Sequence, residues 1–250
     1  MTIKKIGLIV FLMVFLPLVV NVQELLADDA IKLQVQEKAR KILEDIKSKT
    51  YNFVIKINIH DANDKLVKQR EVIAENNVGL RVNDFDWGTK LEQVFIVQNI
   101  GDNYKTYATP DFLPIEPFFL KLNSMLAGNL EMSESFGEDS FIKKSFKGTE
   151  YVLIEFLFDD FIKIKGQLNY DSFSWARLDL LVRDNKVNDW VLVNRLDNIV
   201  TSFKEGINLV STADSYSTSP DGNQIKSVYK VYSFETNVKL DENIFNIDNK

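Results

Sequence analysis

A histidine acts as general acid or base only beside a positioned partner. A zinc site needs several nitrogen or sulfur ligands, and a nucleophilic triad needs histidine or a substitute base. This chain has one histidine, His60, and no cysteine. His60 ends an alternating strand, on its polar face and beside a turn, and so reads as a surface histidine. The serines lie in "NSM", "SES" and "STSPDG", none of which is a nucleophile elbow. Carboxylates cluster at Asp61/Asp64, Asp84/Asp86, Asp159/Asp160 and Glu131/Glu134/Glu138/Asp139. A glycosidase-like pair could be drawn from them, but aspartate is expected in turns for its own reasons, and the spacing favours solvated turns. The loop "DANDK" lacks the sixth-position glycine and twelfth-position acid of a calcium-binding EF-hand. No glycine-rich phosphate loop occurs. The sequence therefore predicts no catalytic residues, no metal and no cofactor, and the chain does not read as an enzyme.

Residues 1–27 supply an address. Lys4 and Lys5 precede an apolar run from Ile6 to Val22, broken by Gly7 and Pro17. A basic start, an apolar run and a small residue before a polar stretch make an export signal. The pattern places cleavage after Ala27, with Leu25 at the −3 position. The alternative is an uncleaved anchor, because the run is close to the shortest that spans a bilayer. Cleavage leaves about 223 residues, enough for one domain with a substantial core.

The remainder carries 28 basic and 35 acidic residues once Lys4, Lys5 and Glu24 are removed. That balance gives no footprint for nucleic acid and disfavours general adsorption to anionic headgroups. Without cysteine, an exported form rests on packing alone and carries no N-terminal lipid-modified cysteine. Eighteen phenylalanines are present, of which only Phe11 and Phe15 lie in the leader. They predict either a thickly packed core or a greasy cavity.

The elements that would position such a core follow from periodicity. Asp28 or Asp29 caps a helix running to about Lys49. Ile31, Val35, Ala39, Ile42, Leu43 and Ile46 share one face of it. The period then becomes two. Tyr51, Phe53, Ile55, Ile57 and Ile59 alternate with polar residues, Val54 being the exception. "HDANDK" turns into a second strand over 66–74. Further strands are predicted near 78–84, 91–99, 104–109, 151–158, 162–170, 177–183, 190–196, 197–203, 207–213 and 225–234. Hairpin runs without an alternating βαβ pattern indicate a large antiparallel sheet that must curl or be covered. No repeat or linker divides it.

Residues 110–130 differ. Pro110, Pro114 and Pro117 break strand continuity, and "FFLKLNSMLAG" follows. Phe118, Phe119, Leu122, Met125 and Leu126 fall at helical spacing, with Gly128 as a stop. A short, very apolar helix on an insert suits a lid or an adaptable contact surface.

Taken in order, these features resemble a known family. A helix leads into "YNFVIKINIHDANDKLVKQ", a second stretch ends "VGLRVN", an apolar insert follows, and the chain finishes on "NVKLDENIFNI". The pattern is similar to the LolA-like superfamily of periplasmic lipoprotein carriers and related lipid-binding factors. Asn237, Val238, Leu240 and Phe245 match its closing strand and turn. The chain differs in lacking a proline before "RVN" and in a long second half, roughly 150–235.

The resemblance implies an α+β fold. Its core would be a strongly curved antiparallel sheet, an unclosed β-barrel, covered by the N-terminal helix and the apolar insert. Residues 28–250 would be a single LolA-like domain. The implied function is non-enzymatic binding of lipid or lipoprotein acyl chains by an exported, periplasmic, monomeric protein, with a membrane-bound donor or acceptor as partner. Phe53, Ile55, Ile57, Phe95, Phe156 and Phe158 would line the sheet wall. Phe118, Phe119, Leu122, Met125 and Leu126 would form the cover. The competing readings are an envelope sensor or protein-interaction module on the same fold, and an envelope hydrolase using an acidic pair.

Overall fold

The computed structural model describes residues 29–86, 90–100, 103–109, 140–157, 162–184, 189–204, 207–218 and 223–248. The leader, the insert with Phe118, Phe119, Leu122, Met125 and Leu126, and the segment holding Phe158, Asp159 and Asp160 lie outside them. Helix α1 (Asp29–Lys49) leads into β1 (Asn52–Asp61), β2 (Leu66–Glu75), β3 (Gly79–Asp86), β4 (Lys90–Ile100) and β5 (Asn103–Ala108). The second run comprises β6 (Ile142–Phe146), β7 (Thr149–Leu157), β8 (Ile162–Asn169) and β9 (Trp175–Asp184). It ends with β10 (Asp189–Lys204), β11 (Ile207–Thr218) and β12 (Gln224–Thr236).

All twelve strands form one sheet in the order β5-β4-β3-β2-β1-β12-β11-β10-β9-β8-β7-β6. Each neighbouring pair is antiparallel. The order has a simple logic. One meander runs outward from β1 to β5, the other runs inward from β6 to β12, and they are joined in the middle, where β1 pairs with β12 from Phe53↔Thr236 to Asp61↔Ser227. The sheet is not closed: β5 and β6 are its edges, and residues 109–141 connect one edge to the other.

Two elements differ from the sequence reading. The predicted strands 190–196 and 197–203 are one strand, β10, with register shifts at Leu192/Asn194 and between Asp197 and Thr201. Asn198 has a left-handed backbone (φ 50°), and its side chain donates to Asp214 Oδ2 at 2.9 Å. The polar break is thus an irregularity within a long strand rather than its end. Strand β6, "IKKSF", was not anticipated, because every one of its residues is exposed and no apolar alternation marks it.

Alternation in the sequence becomes two faces in the structure. One face carries a continuous apolar cluster reaching from Phe95 and Val97 on β4, through Ile55 and Ile57 on β1, to Val152 and Ile154 on β7. Helix α1 adds Val35, 3% exposed, and half-buried Ile31 to that cluster. The side chains of Ala39, Ile42, Leu43 and Ile46 lie outside the described residues. Lys38 of α1 sits 4.9 Å over the Phe173 ring and donates to the Asp171 carbonyl at 3.2 Å. Among the described residues, no helix is long and apolar enough to cross a membrane.

The opposite face has its own smaller core. Val54, Ile73, Val94 and Ile96 meet Phe245, with Val238, Leu240, Ile244 and Ile247 packed around them. Val54 breaks the alternation of β1 because the C-terminal tail covers that side of the strand.

Candidate functional site

The first face is organised in rows by the strand register. Ile55, Val72, Val82 and Phe95 stand opposite one another across β1 to β4. Their exposures are 0%, 1%, 0% and 0%. A second row, Phe53, Ala74, Leu80 and Val97, lies beside it and is equally buried. In the other half, Ile154, Gly166, Leu178, Leu196 and Ser215 form a row from β7 to β11. The sequence therefore named Phe53, Ile55, Ile57 and Phe95 on a shared apolar face, and the structure brings these four together. Phe156 pairs with Ile164 in the ladder; its side chain lies outside the described residues, as does all of Phe158.

A third row on this face is polar, and sequence reasoning missed it. Ile57 is followed across the sheet by Arg70, Asp84 and Gln93. Arg70 Nε donates to Asp84 Oδ1 at 2.6 Å, and Nη2 donates to Oδ2 at 2.7 Å. Both side chains are almost fully buried. Lys68 Nζ lies 3.6 Å from the same carboxylate. Burial pulls the Arg70 guanidinium down, but the Asp84 charge and hydrogen bonds outweigh it and hold Arg70 above its ordinary value. Tyr229, also buried, is pushed up by desolvation, and the Arg70 charge partly offsets that. Asn194 Nδ2 donates to Ser215 Oγ at 3.0 Å further along the same face. The face is thus apolar at one end of the strands and polar at the other, across β2–β4 and β10–β12. A bidentate arginine–carboxylate pair is directional and binds rigidly.

The tail fixes the second face. Phe245 stacks on Gly79, where a Cβ would lie 3.0 Å from the ring and 2.4 Å from the Val97 carbonyl oxygen. Arg81, to which the sequence assigned no role, donates Nη1 to the Ile244 carbonyl at 2.9 Å and Nε to Asn83 Oδ1 at 2.8 Å. Burial holds its guanidinium below the usual value, against the Glu71 charge. Asn52 and Val238 exchange two hydrogen bonds of 2.9 Å. Asn237, in a left-handed conformation (φ 53°), donates Nδ2 to the Lys49 carbonyl at the end of α1. The stretches "VGLRVN" and "NVKLDENIFNI", far apart in sequence, are thus in contact.

Elsewhere on this face charges alternate from strand to strand. Glu155 lies 2.8 Å from both Lys163 and Lys165, and Asp179 pairs with Arg177 and Arg195. Asp61 accepts from the Asn63 and Lys65 backbone amides of its turn, and Asp64 pairs with Lys230. His60 is less exposed than the sequence suggested: its side chain is only 15% accessible, with Nδ1 2.9 Å from the Asp64 carbonyl oxygen. The turn brings the Asp64 carbonyl to the edge of the ring. Of the carboxylates singled out from sequence and described here, Asp61, Asp64 and Asp84 thus have structural partners.

The chain matches no family profile and no curated protein. Its fold is nevertheless similar to solved structures. A LolA superfamily protein from Nitrosomonas europaea superposes with a TM-score of 0.53 at 12% identity, covering 85% of this chain and 99% of that one. A DUF1329 family protein from Desulfovibrio piger superposes with a TM-score of 0.53 at 10% identity, covering 82% and 93%. In its fold, the chain is similar to the LolA superfamily.

Proposed function

We propose that this protein is an exported, non-enzymatic binder of acyl chains, carried by lipids or lipoproteins, in the cell envelope. The supporting observation is the continuous apolar face that runs across an unclosed sheet from Phe95 to Ile154. Burying about ten methylenes on such a face is worth about 8 kcal/mol. Phe53, Ile55, Ile57, Phe95, Phe156 and Phe158 form the wall in this reading. Helix α1 and the insert residues Phe118, Phe119, Leu122, Met125 and Leu126 form the cover. Residues 28–250 act as one domain, cleaved after Ala27 and periplasmic.

Titration with a fluorescent fatty acid tests the reading. Saturable emission is expected, and it should weaken in a Phe118→Ser, Phe119→Ser variant. A flat titration with folded protein contradicts it. Saturable uptake that the double variant leaves unchanged moves the cover away from the insert.

A further inference from the structure

The chain is acidic overall, but one projection from it is not. Strands β6 and β7 are joined by a two-residue turn, Lys147-Gly148, flanked by the pair Phe146↔Thr149. Both turn residues have positive φ, 50° and 79°. That is the turn whose twist matches a tight hairpin, and glycine tolerates it best. At the tip, Phe146 is 64% exposed, the most exposed large apolar side chain among the described residues. Ile142 on the same side of β6 is 37% exposed. Lys144 alternates between them, and Lys147 Nζ lies 5.4 Å from the Phe146 ring centre. The acidic residue of the hairpin nearest its tip, Glu150, is engaged by Lys143 at 2.6 Å. Lys144 and Lys147 therefore flank an exposed ring with their charge uncompensated by that carboxylate.

We infer that the β6–β7 hairpin tip is a membrane-docking element, which places Phe146 at the headgroup–acyl boundary of an anionic bilayer with Lys144 and Lys147 on lipid phosphates. An aromatic ring suits that depth, and lysine stems lie along apolar surface while their ammonium groups reach outward. Two exposed apolar side chains fall well short of the roughly 800 Å² per partner of a stable protein interface. One buried ring and two flanking cations add up to a weak, reversible hold on lipid. The docking is independent of whether the protein carries a cargo.

Sedimentation with vesicles of phosphatidylcholine containing one-third phosphatidylglycerol tests it. The protein is expected to partition onto these vesicles and not onto pure phosphatidylcholine, with binding falling as salt rises. Phe146→Ser should lower partitioning about tenfold. Changing Lys144 and Lys147 to Gln should lower it about fivefold per lysine. All three positions are solvent-facing, and unchanged circular dichroism establishes that the variants fold. No partitioning, or partitioning that Phe146→Ser leaves intact, overturns the inference. Binding to poly-aspartate but not to vesicles also overturns it and assigns the hairpin to an acidic protein.

Discussion

Arg70 and Asp84 face one another across β2 and β3 on the apolar side of the sheet, joined by hydrogen bonds of 2.6 and 2.7 Å and buried together. Removing one partner strands the other charge out of water, which costs about 3–5 kcal/mol. Asp84→Asn is therefore expected to lower the urea midpoint sharply. Arg70→Met combined with Asp84→Leu should recover most of the loss, since neither charge remains. Equal destabilisation in the single and double variants would contradict this account.

Phe245 and Gly79 make one contact between the tail and the sheet. Phe245→Ala should cost about 3–4 kcal/mol. Gly79→Ala forces a Cβ against the Val97 carbonyl and the ring together. Once the ring is gone, part of that clash disappears. Unfolding of the double variant should cost less than the sum of the singles, and strict additivity would mean that the tail does not rest on Gly79.

Asn237 combines a left-handed backbone with side-chain bonds to the Lys49 carbonyl and from the Tyr51 amide. Asn237→Gly keeps the conformation and loses those bonds, each worth about 1 kcal/mol. Asn237→Ala loses the bonds and adds about 1 kcal/mol of backbone strain. Thermal melts should rank the parent above Gly and Gly above Ala; Ala equal to Gly would contradict the role of the backbone.

Burial raises the Glu155 carboxyl, but Lys163 and Lys165 outweigh it and hold the group below its ordinary value of 4.5. A carboxyl lowered in the folded state adds stability above its unfolded-state value and loses it as pH falls through the folded value. Glu155→Gln should be about 1–2 kcal/mol less stable than the parent at pH 7. That gap should narrow as pH falls below the ordinary value of 4.5 and through the lowered folded-state value. Urea midpoints at pH 7 and pH 3 read it directly, and a constant gap would refute the assignment.

Period-two alternation made Phe53, Ile55 and Ile57 legible as buried, because they recur at every second position with Asn52, Lys56 and Asn58 between them and only Val54 out of pattern. It could not reveal Arg70 and Asp84. Polar residues at inward positions look like any solvated strand until register sets them side by side across two strands. Val54 appeared as a flaw in the pattern because what covers it, Phe245, comes from the far end of the chain. Strand β6 carried no periodic signal, since its residues face solvent on both sides. The boundary expected between 196 and 197 falls inside β10, where the chain makes a bulge at Asn198 rather than ending the strand.

Native mass spectrometry of the protein purified from its own envelope tests the central claim most directly. The account predicts a population heavier than the bare chain by the mass of a lipid or an acylated protein, reduced to the bare mass by delipidation. A single species at the bare mass, from protein never exposed to detergent, would contradict it.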